Sequence, residues 1–255
     1  MPTKIEWCHE TWNPITGCSP ISEGCKNCYA QRMAQRLKGR FGYPEDEPFR
    51  VTFHPDRLDQ PLKWKKPQMI FVCSMGDLFH KDLRRNTGFG TSWERVCEIY
   101  EVMMKTSWHT FLILTKRPDN MGWFYKEWVN CLVEVRNIWL GVTVESSKYL
   151  SRIDELLKIP AVIRFVSIEP MLEPMYILKY LKQPKTLDGR ERSLLNWVIA
   201  GPETGPGKRT CKPEWIKHLY DQCQEAGVPF FDKTKKNWLA REFPNRKEYK
   251  NEIPD

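Results

Sequence analysis

The chain has 255 residues, 41% hydrophobic and 28% charged, which is the make-up of an ordinary soluble globular protein and excludes disordered and fibrous classes. At about 150 residues per domain this length suits one large domain or two small ones. The net charge of +8 (40 basic against 32 acidic residues) favours polyanionic partners. No apolar run approaches the ~18 residues of a membrane span, and Met1–Cys8 lacks the apolar stretch of a signal peptide, so no membrane partner and a cytoplasmic location are expected.

In chain order, a first strand is predicted around Thr11–Ile15. It feeds a loop in which Gly17, Pro20 and Gly24 forbid a regular element. Tyr29, Met33 and Leu37 then recur every four residues and Gly39 supplies a stop, the pattern of a helix, which Arg32, Arg36, Lys38 and Arg40 make basic. Residues 41–66 are rich in proline and read as an irregular excursion. Beyond them, short β-rich apolar runs recur at Met69–Cys73, Thr110–Leu114, Asn137–Val144, Ala161–Ile168, Trp197–Ala200 and Val228–Phe231. Helical patterns stand between most of them: Ser92–Lys105, Pro118–Val135, Ser146–Lys158, a shorter Met175–Leu181 followed by a polar loop to Ser193, and Pro213–Ala226 closing on Gly227.

Strands alternating with helices imply right-handed crossovers and a parallel sheet. The expected fold is therefore α/β, a parallel (β/α) barrel that is closed or a partial barrel of six to seven β/α units, with an open doubly wound sheet as competitor. No Gly-rich dinucleotide or P-loop signature follows any strand. There is no internal repeat, so residues 1–255 read as a single domain with a basic C-terminal extension from about 233.

The nine cysteines, at 8, 18, 25, 28, 73, 97, 131, 211 and 223, are an odd number in a chain without an export signal, which argues against a disulfide scaffold. Six are dispersed and read as small hydrophobes. Cys18, Cys25 and Cys28 differ: C-x6-C-x2-C places three thiols in one loop, free to converge on one centre. Three thiolates would hold a four-iron cluster with one iron left open to a small molecule. A zinc site, completed by Cys8 or His9, is the alternative that spacing leaves open.

In barrels the chemistry gathers at the C-terminal ends of strands. Here those ends deliver Asp77, Lys116 and Arg117, Thr143 and Glu145, Ser167 and Glu169, Glu203, and Lys233. The competing reading of each acid is a helix N-terminal residue favoured by the macrodipole. Four acids on one rim beside three cysteines favour function. His54, His80 and His109 are expected to be satisfied histidines rather than ligands.

A three-cysteine loop after the first strand of a (β/α) barrel, with an aromatic after the third cysteine, resembles the radical S-adenosylmethionine enzymes. Usual members carry C-x3-C-x2-C. The longer spacing, with Thr11–Cys18, Ser74–His80, Leu114–Pro118, Trp139–Glu145, Ser167–Pro170 and Gly201–Gly207, resembles a phage-associated branch linked to thymine hypermodification in DNA. The resemblance spans residues 7 to about 233. It implies a [4Fe-4S] cluster on Cys18, Cys25 and Cys28, with S-adenosylmethionine on its open iron. By strand order it implies Asp77 at the amino group, Thr143 and Glu145 near the ribose, and Ser167 and Glu169 near the adenosyl moiety. Lys116, Arg117, Glu203 and Lys233 are the candidates for substrate contact.

The implied reaction isomerises a glycine adduct on a modified DNA thymine from N-linked to C-linked, with an electron donor such as flavodoxin or ferredoxin, in the host cytoplasm if phage-encoded. A radical lesion-repair lyase, a radical enzyme for small molecules, and a non-catalytic zinc-stabilised nucleic-acid-binding protein are the alternatives. Basic clusters at Arg32/Arg36/Lys38/Arg40, Lys63/Lys65/Lys66, Arg84/Arg85 and Lys233/Lys235/Lys236, with Trp64 and Trp238 as stacking aromatics, suit a nucleic-acid partner. Reaction on DNA would require the target base to be extruded.

Overall fold

Alternating apolar residues give each strand two faces, and the chain uses both. The computed structural model describes residues 3–86, 88, 91–129, 135–182, 194–234 and 239–244. Seven strands form one parallel sheet in chain order: β1 (Glu10–Trp12), β2 (Met69–Val72), β3 (Thr110–Thr115), β4 (Ile138–Thr143), β5 (Arg164–Ile168), β6 (Trp197–Ala200) and β7 (Phe230–Asp232). The sheet curls into a half-barrel. Between successive strands the chain carries α1 (Tyr29–Leu37), α2 (Glu94–Lys105), α3 (Pro118–Phe124), α4 (Ser151–Leu157), α5 (Leu178–Leu181) and α6 (Pro213–Ala226).

Residues of one parity, Ile70, Val72, Phe111, Ile113, Leu140, Val142, Val166 and Val198, share a large core with helix residues such as Val96, Ile99, Met103, Ile153, Leu156, Ile216 and Leu219. The opposite parity builds a second, aromatic core from Met69, Leu112, Trp139, Phe165, Trp197, Ile199 and Phe231, closed by Trp7. Burying strands on both faces suits a parallel sheet, whose crossover helices cover one side. Following the second parity past the strand ends leads from Leu112 to Lys116, from Trp139 to Thr143 and Glu145, from Phe165 to Ser167 and Glu169, and from Phe231 to Lys233. The same alternation that fills the second core thus carries the candidate site residues to the rim.

Several boundaries differ from the sequence expectation for local reasons. β1 ends at Trp12, because Pro14 has no N–H to offer a sheet and Asn13 turns its Oδ1 to accept from Met75 N (2.9 Å) and Ser74 Oγ (3.1 Å). Ile15–Thr16 instead pairs antiparallel with Thr52–Phe53 inside the segment expected to be irregular. The helix expected over Pro118–Val135 is α-helical only to Phe124 and widens into a π-turn over Tyr125–Val129. The Met175–Leu181 helix begins only at Leu178, where Gln222 Oε1 accepts from Ile177 N (2.7 Å) and Leu178 N (3.0 Å).

The C-terminal extension is no loose tail over 239–244. It lies antiparallel along β7, with Asp232 N donating to Ala240 O (2.9 Å) and Glu242 N to Phe230 O (2.9 Å), and it covers the sheet edge. Cys131, the loop to Ser193, Lys235, Lys236 and Trp238 lie outside the described residues. Among the described residues no helix is long and apolar enough to cross a membrane.

Candidate functional site

The cysteine loop is fastened before its first thiol. Gly17 has φ +85°, and a Cβ there would meet Arg50 O at 2.1 Å, so glycine alone lets the chain turn past Arg50. Gly17 N donates to Met75 O (2.9 Å) and Cys18 N to Phe49 O (3.1 Å). Cys25 closes a short 3-10 turn, Glu23–Cys25, and Cys28 sits immediately before α1. All three thiols are half-buried.

Their environments differ. Burial pushes Cys18 up to about 11, with Asp77 adding to the rise and Arg117 opposing it. At Cys25 burial acts in the same sense, but Lys116 and hydrogen bonds from Ile21 and Ser22 outweigh it and lower the thiol below its ordinary value. Burial raises Cys8 and Cys73, each to about 12. It also raises Cys211, to about 11, and Cys223. Of these thiols Cys25 alone is shifted toward the thiolate, while Cys8, Cys73, Cys211 and Cys223 suit inert packing.

None of the four rim acids lies in the first turn of a helix, so the macrodipole reading fails for all of them. Each is held by a cation. Asp77 Oδ2 accepts from Arg117 Nη1 (3.0 Å) and Lys116 N (3.3 Å), while Oδ1 accepts from Thr115 Oγ1 (2.7 Å) and Phe79 N (3.0 Å). Glu145 is fully buried and accepts from Arg152 Nη1 (2.6 Å) and from Ser22 Oγ, with Lys116 Nζ at 3.4 Å. Both oxygens of Glu169 accept from Lys233 Nζ (2.6 and 2.5 Å). Glu203 accepts from Arg209 Nη2 (2.5 Å), Nε (2.9 Å) and backbone N (2.8 Å), and these bonds with Arg209 hold its carboxyl down at about 2.

These pairs fix the cysteine loop to the barrel on three sides. Arg117 Nη1 reaches Cys18 Sγ at 3.2 Å. Glu145 lies so close under Gly24 that a Cβ would stand 2.2 Å from its Cγ. On the third side Asn27 Nδ2 donates to Glu203 Oε2 (2.9 Å) and Gly207 O (2.9 Å), and Arg32 Nη2 to Thr204 O (3.0 Å). The Gly201–Gly207 loop is thus a clasp on the cysteine loop. Thr143 and Ser167 are register partners side by side on β4 and β5. A pocket of about 810 Å³ is lined by Glu203, Lys208, Cys211, Glu214, Lys217 and Lys233.

Asn13, Ser22, Asn27, Thr115, Arg152 and Arg209 complete the site without having been singled out from sequence. Arg152 is buried in α4 beside Ile153 and Leu156, and a charge within that apolar stretch is the available signal. His54, His80 and His109 are satisfied as expected: they meet Thr16 Oγ1 (2.8 Å), Ser19 Oγ (2.7 Å) and Pro61 O (3.0 Å). Trp64 is half-buried against the core and edge-on to His109, so it is not a free stacking ring. Exposed aromatics include Tyr29 and Phe41, at the two ends of the basic segment that holds Arg32, Arg36, Lys38 and Arg40, and Trp123, under the Arg84 guanidinium at 3.7 Å.

Among the described residues no group of three or more His, Cys, Asp or Glu side chains is gathered to hold a metal ion. The donor set nevertheless fits a cluster in its chemistry: three half-buried thiols, two of them beside the cations Arg117 and Lys116, which offset thiolate charge. No curated protein and no solved structure matches the chain. Residues 2–253, nearly its whole length, match the model of a family described as protein of unknown function, DUF5131, and the chain belongs to that family.

Proposed function

We propose that the chain is a radical S-adenosylmethionine enzyme that acts on DNA bearing a modified thymine, moving a glycine adduct from nitrogen to carbon linkage. The observation that carries the reading is the C-x6-C-x2-C loop at the C-terminal rim of a parallel half-barrel, tied there by Arg117, Glu145 and Glu203. Cys18, Cys25 and Cys28 would hold a [4Fe-4S] cluster. With S-adenosylmethionine bound, such a cluster would pass on one electron from the donor, splitting the sulfonium into methionine and a 5′-deoxyadenosyl radical able to take hydrogen from the glycyl carbon.

The residues divide this work by how firmly they are engaged. Asp77 has four acceptor contacts filled, and Glu145 is buried with three donors, so both hold the cysteine loop and its cations in place. Thr143, Ser167 and Glu169 are left to bind the ribose and adenosyl groups, and Lys233 to reach substrate. The net charge of +8 and the exposed Tyr29, Phe41 and Trp123 support a nucleic-acid partner, with flavodoxin or ferredoxin as electron donor.

Anaerobic reconstitution tests the reading. The expected result is a brown protein with four irons per chain, a shift in its paramagnetic resonance on adding S-adenosylmethionine, and a changed nucleoside in reacted DNA by mass spectrometry. A colourless protein with stoichiometric zinc, unaltered by Cys25→Ala, would overturn it. 5′-Deoxyadenosine formed without any altered nucleoside would remove the DNA substrate, as would absence of salt-dependent duplex binding.

A further inference from the structure

Arg117 is gripped from two sides of the rim. Its Nη1 donates to Asp77 Oδ2 (3.0 Å) and Cys18 Sγ (3.2 Å), and its Nη2 to Ser19 O (2.8 Å) and Ser19 Oγ (3.2 Å). The side chain is only 9% exposed, and that of Asp77 7%. Thr115 Oγ1 both donates to Asp77 and accepts from Arg117 N (2.9 Å), so the end of β3 locks the pair. His80 Nε2 meets Ser19 Oγ at 2.7 Å and locks the other side. Only a planar, five-donor guanidinium fills this fork; a lysine would make one or two of these contacts.

We infer that Arg117 is a positioning residue whose guanidinium hydrogen-bonds the Cys18 sulfur and raises the reduction potential of the centre that sulfur ligates. This inference rests on the iron–sulfur reading above. An N–H aimed at a ligand sulfur stabilises the more electron-rich, reduced state, and such bonds are among the determinants of cluster potentials. The donor is charged, which strengthens the bond, and it is buried, which limits screening by salt. Asp77 cancels the net charge, so the pair acts as a fixed dipole with its positive end on Cys18. No guanidinium is bonded to Cys25, whose side-chain contact is the Ser22 hydroxyl at 3.5 Å, so the three thiolates are not equivalent.

The test compares wild-type protein with Arg117→Met and Arg117→Lys after anaerobic reconstitution, reading iron content and the midpoint potential by resonance-monitored titration. Arg117→Met is expected to keep its iron and shift the one-electron equilibrium about tenfold toward oxidation, about 59 mV. Arg117→Lys, which keeps the charge and loses the fork, is expected to shift it in the same sense by less. Full iron with a wild-type potential in both variants overturns the inference and leaves the iron–sulfur reading intact. If Arg117→Met does not load iron, Arg117→Lys decides alone: a lowered potential supports the inference and an unchanged one overturns it. A wild-type protein that takes up no iron overturns both.

Discussion

Replacing Arg152 with leucine tests whether the rim is held by buried ion pairs. Glu145 is 0% exposed, and Arg152, 8% exposed, meets it at 2.6 Å. Arg152 also donates to Thr143 O at 2.8 Å. Removing one member of a buried pair costs about 3–5 kcal/mol, because the other charge stays buried. Lys116 remains at 3.4 Å, which places the expected loss at the lower end, about 3 kcal/mol. For a chain of this size that lowers the unfolding midpoint by roughly 6–12 °C. Glu145→Gln in the Arg152→Leu background removes the stranded charge, so the double variant should be more stable than additivity of the two singles by about 1–2 kcal/mol. The assay is urea or thermal unfolding at neutral pH. A loss below about 1 kcal/mol for Arg152→Leu, or strict additivity, would refute the ion-pair argument.

Three further outcomes are expected. Gly24→Ala drives a methyl against the Glu145 side chain at 2.2 Å, and overpacking of this kind costs about 1–3 kcal/mol, read as a lower urea midpoint with lower iron uptake. Glu203 titrates at about 2 when folded against an ordinary 4.5, so the unfolded chain takes the proton first and stability is lost as pH falls from about 4.5 toward 2. His54, pushed down to about 4 from 6.5 by burial and then Arg57, removes stability in an earlier window, between 6.5 and 4. Unfolding at stepped pH should show Glu203→Gln flattening the lower window and His54→Gln the upper one. In metal-free protein, iodoacetamide should modify Cys25 faster than Cys18, Cys73 or Cys223, as mapped by mass spectrometry; equal rates would contradict the lowered thiol.

Strands and helices were legible because parity and helical periodicity are local: strand Trp197–Ala200 and helix Pro213–Ala226 have the limits that their sequence patterns predict. The early end of β1 was legible only in part, since Pro14 marks it locally while Asn13 is held by Met75, 62 residues away. At the rim the sequence shows which acids arrive but not which cations meet them. Asp77 pairs with Arg117 across 40 residues and Glu169 with Lys233 across 64. The Gly201–Gly207 loop illustrates the limit best. Its glycines carry no binding signature, and only its contact with Asn27, 180 residues from Gly207, identifies it as a clasp.

Exposure divides the four carboxylates into two kinds. The side chains of Asp77, Glu145 and Glu203 are 7%, 0% and 5% exposed, and Asp77 and Glu145 cannot leave Arg117 and Arg152, themselves 9% and 8% exposed, without stranding a buried cation. Glu169 is different: its side chain is 24% exposed, its partner Lys233 is 18% exposed, and water can take over from either as the pair opens. Lys233 also lines the 810 Å³ pocket, so opening this pair would free a carboxylate beside Ser167 and a cation in the pocket at once. Exchange of internal for external partners is therefore least costly at the ends of β5 and β7. The β1–β4 ends, with Asp77, Arg117 and Glu145, hold the cysteine loop still. The rim thus pairs a buried, fully bonded side against the cysteine loop with a side able to exchange its ion pair for a ligand, the arrangement that the proposed reactive centre and its substrate would require.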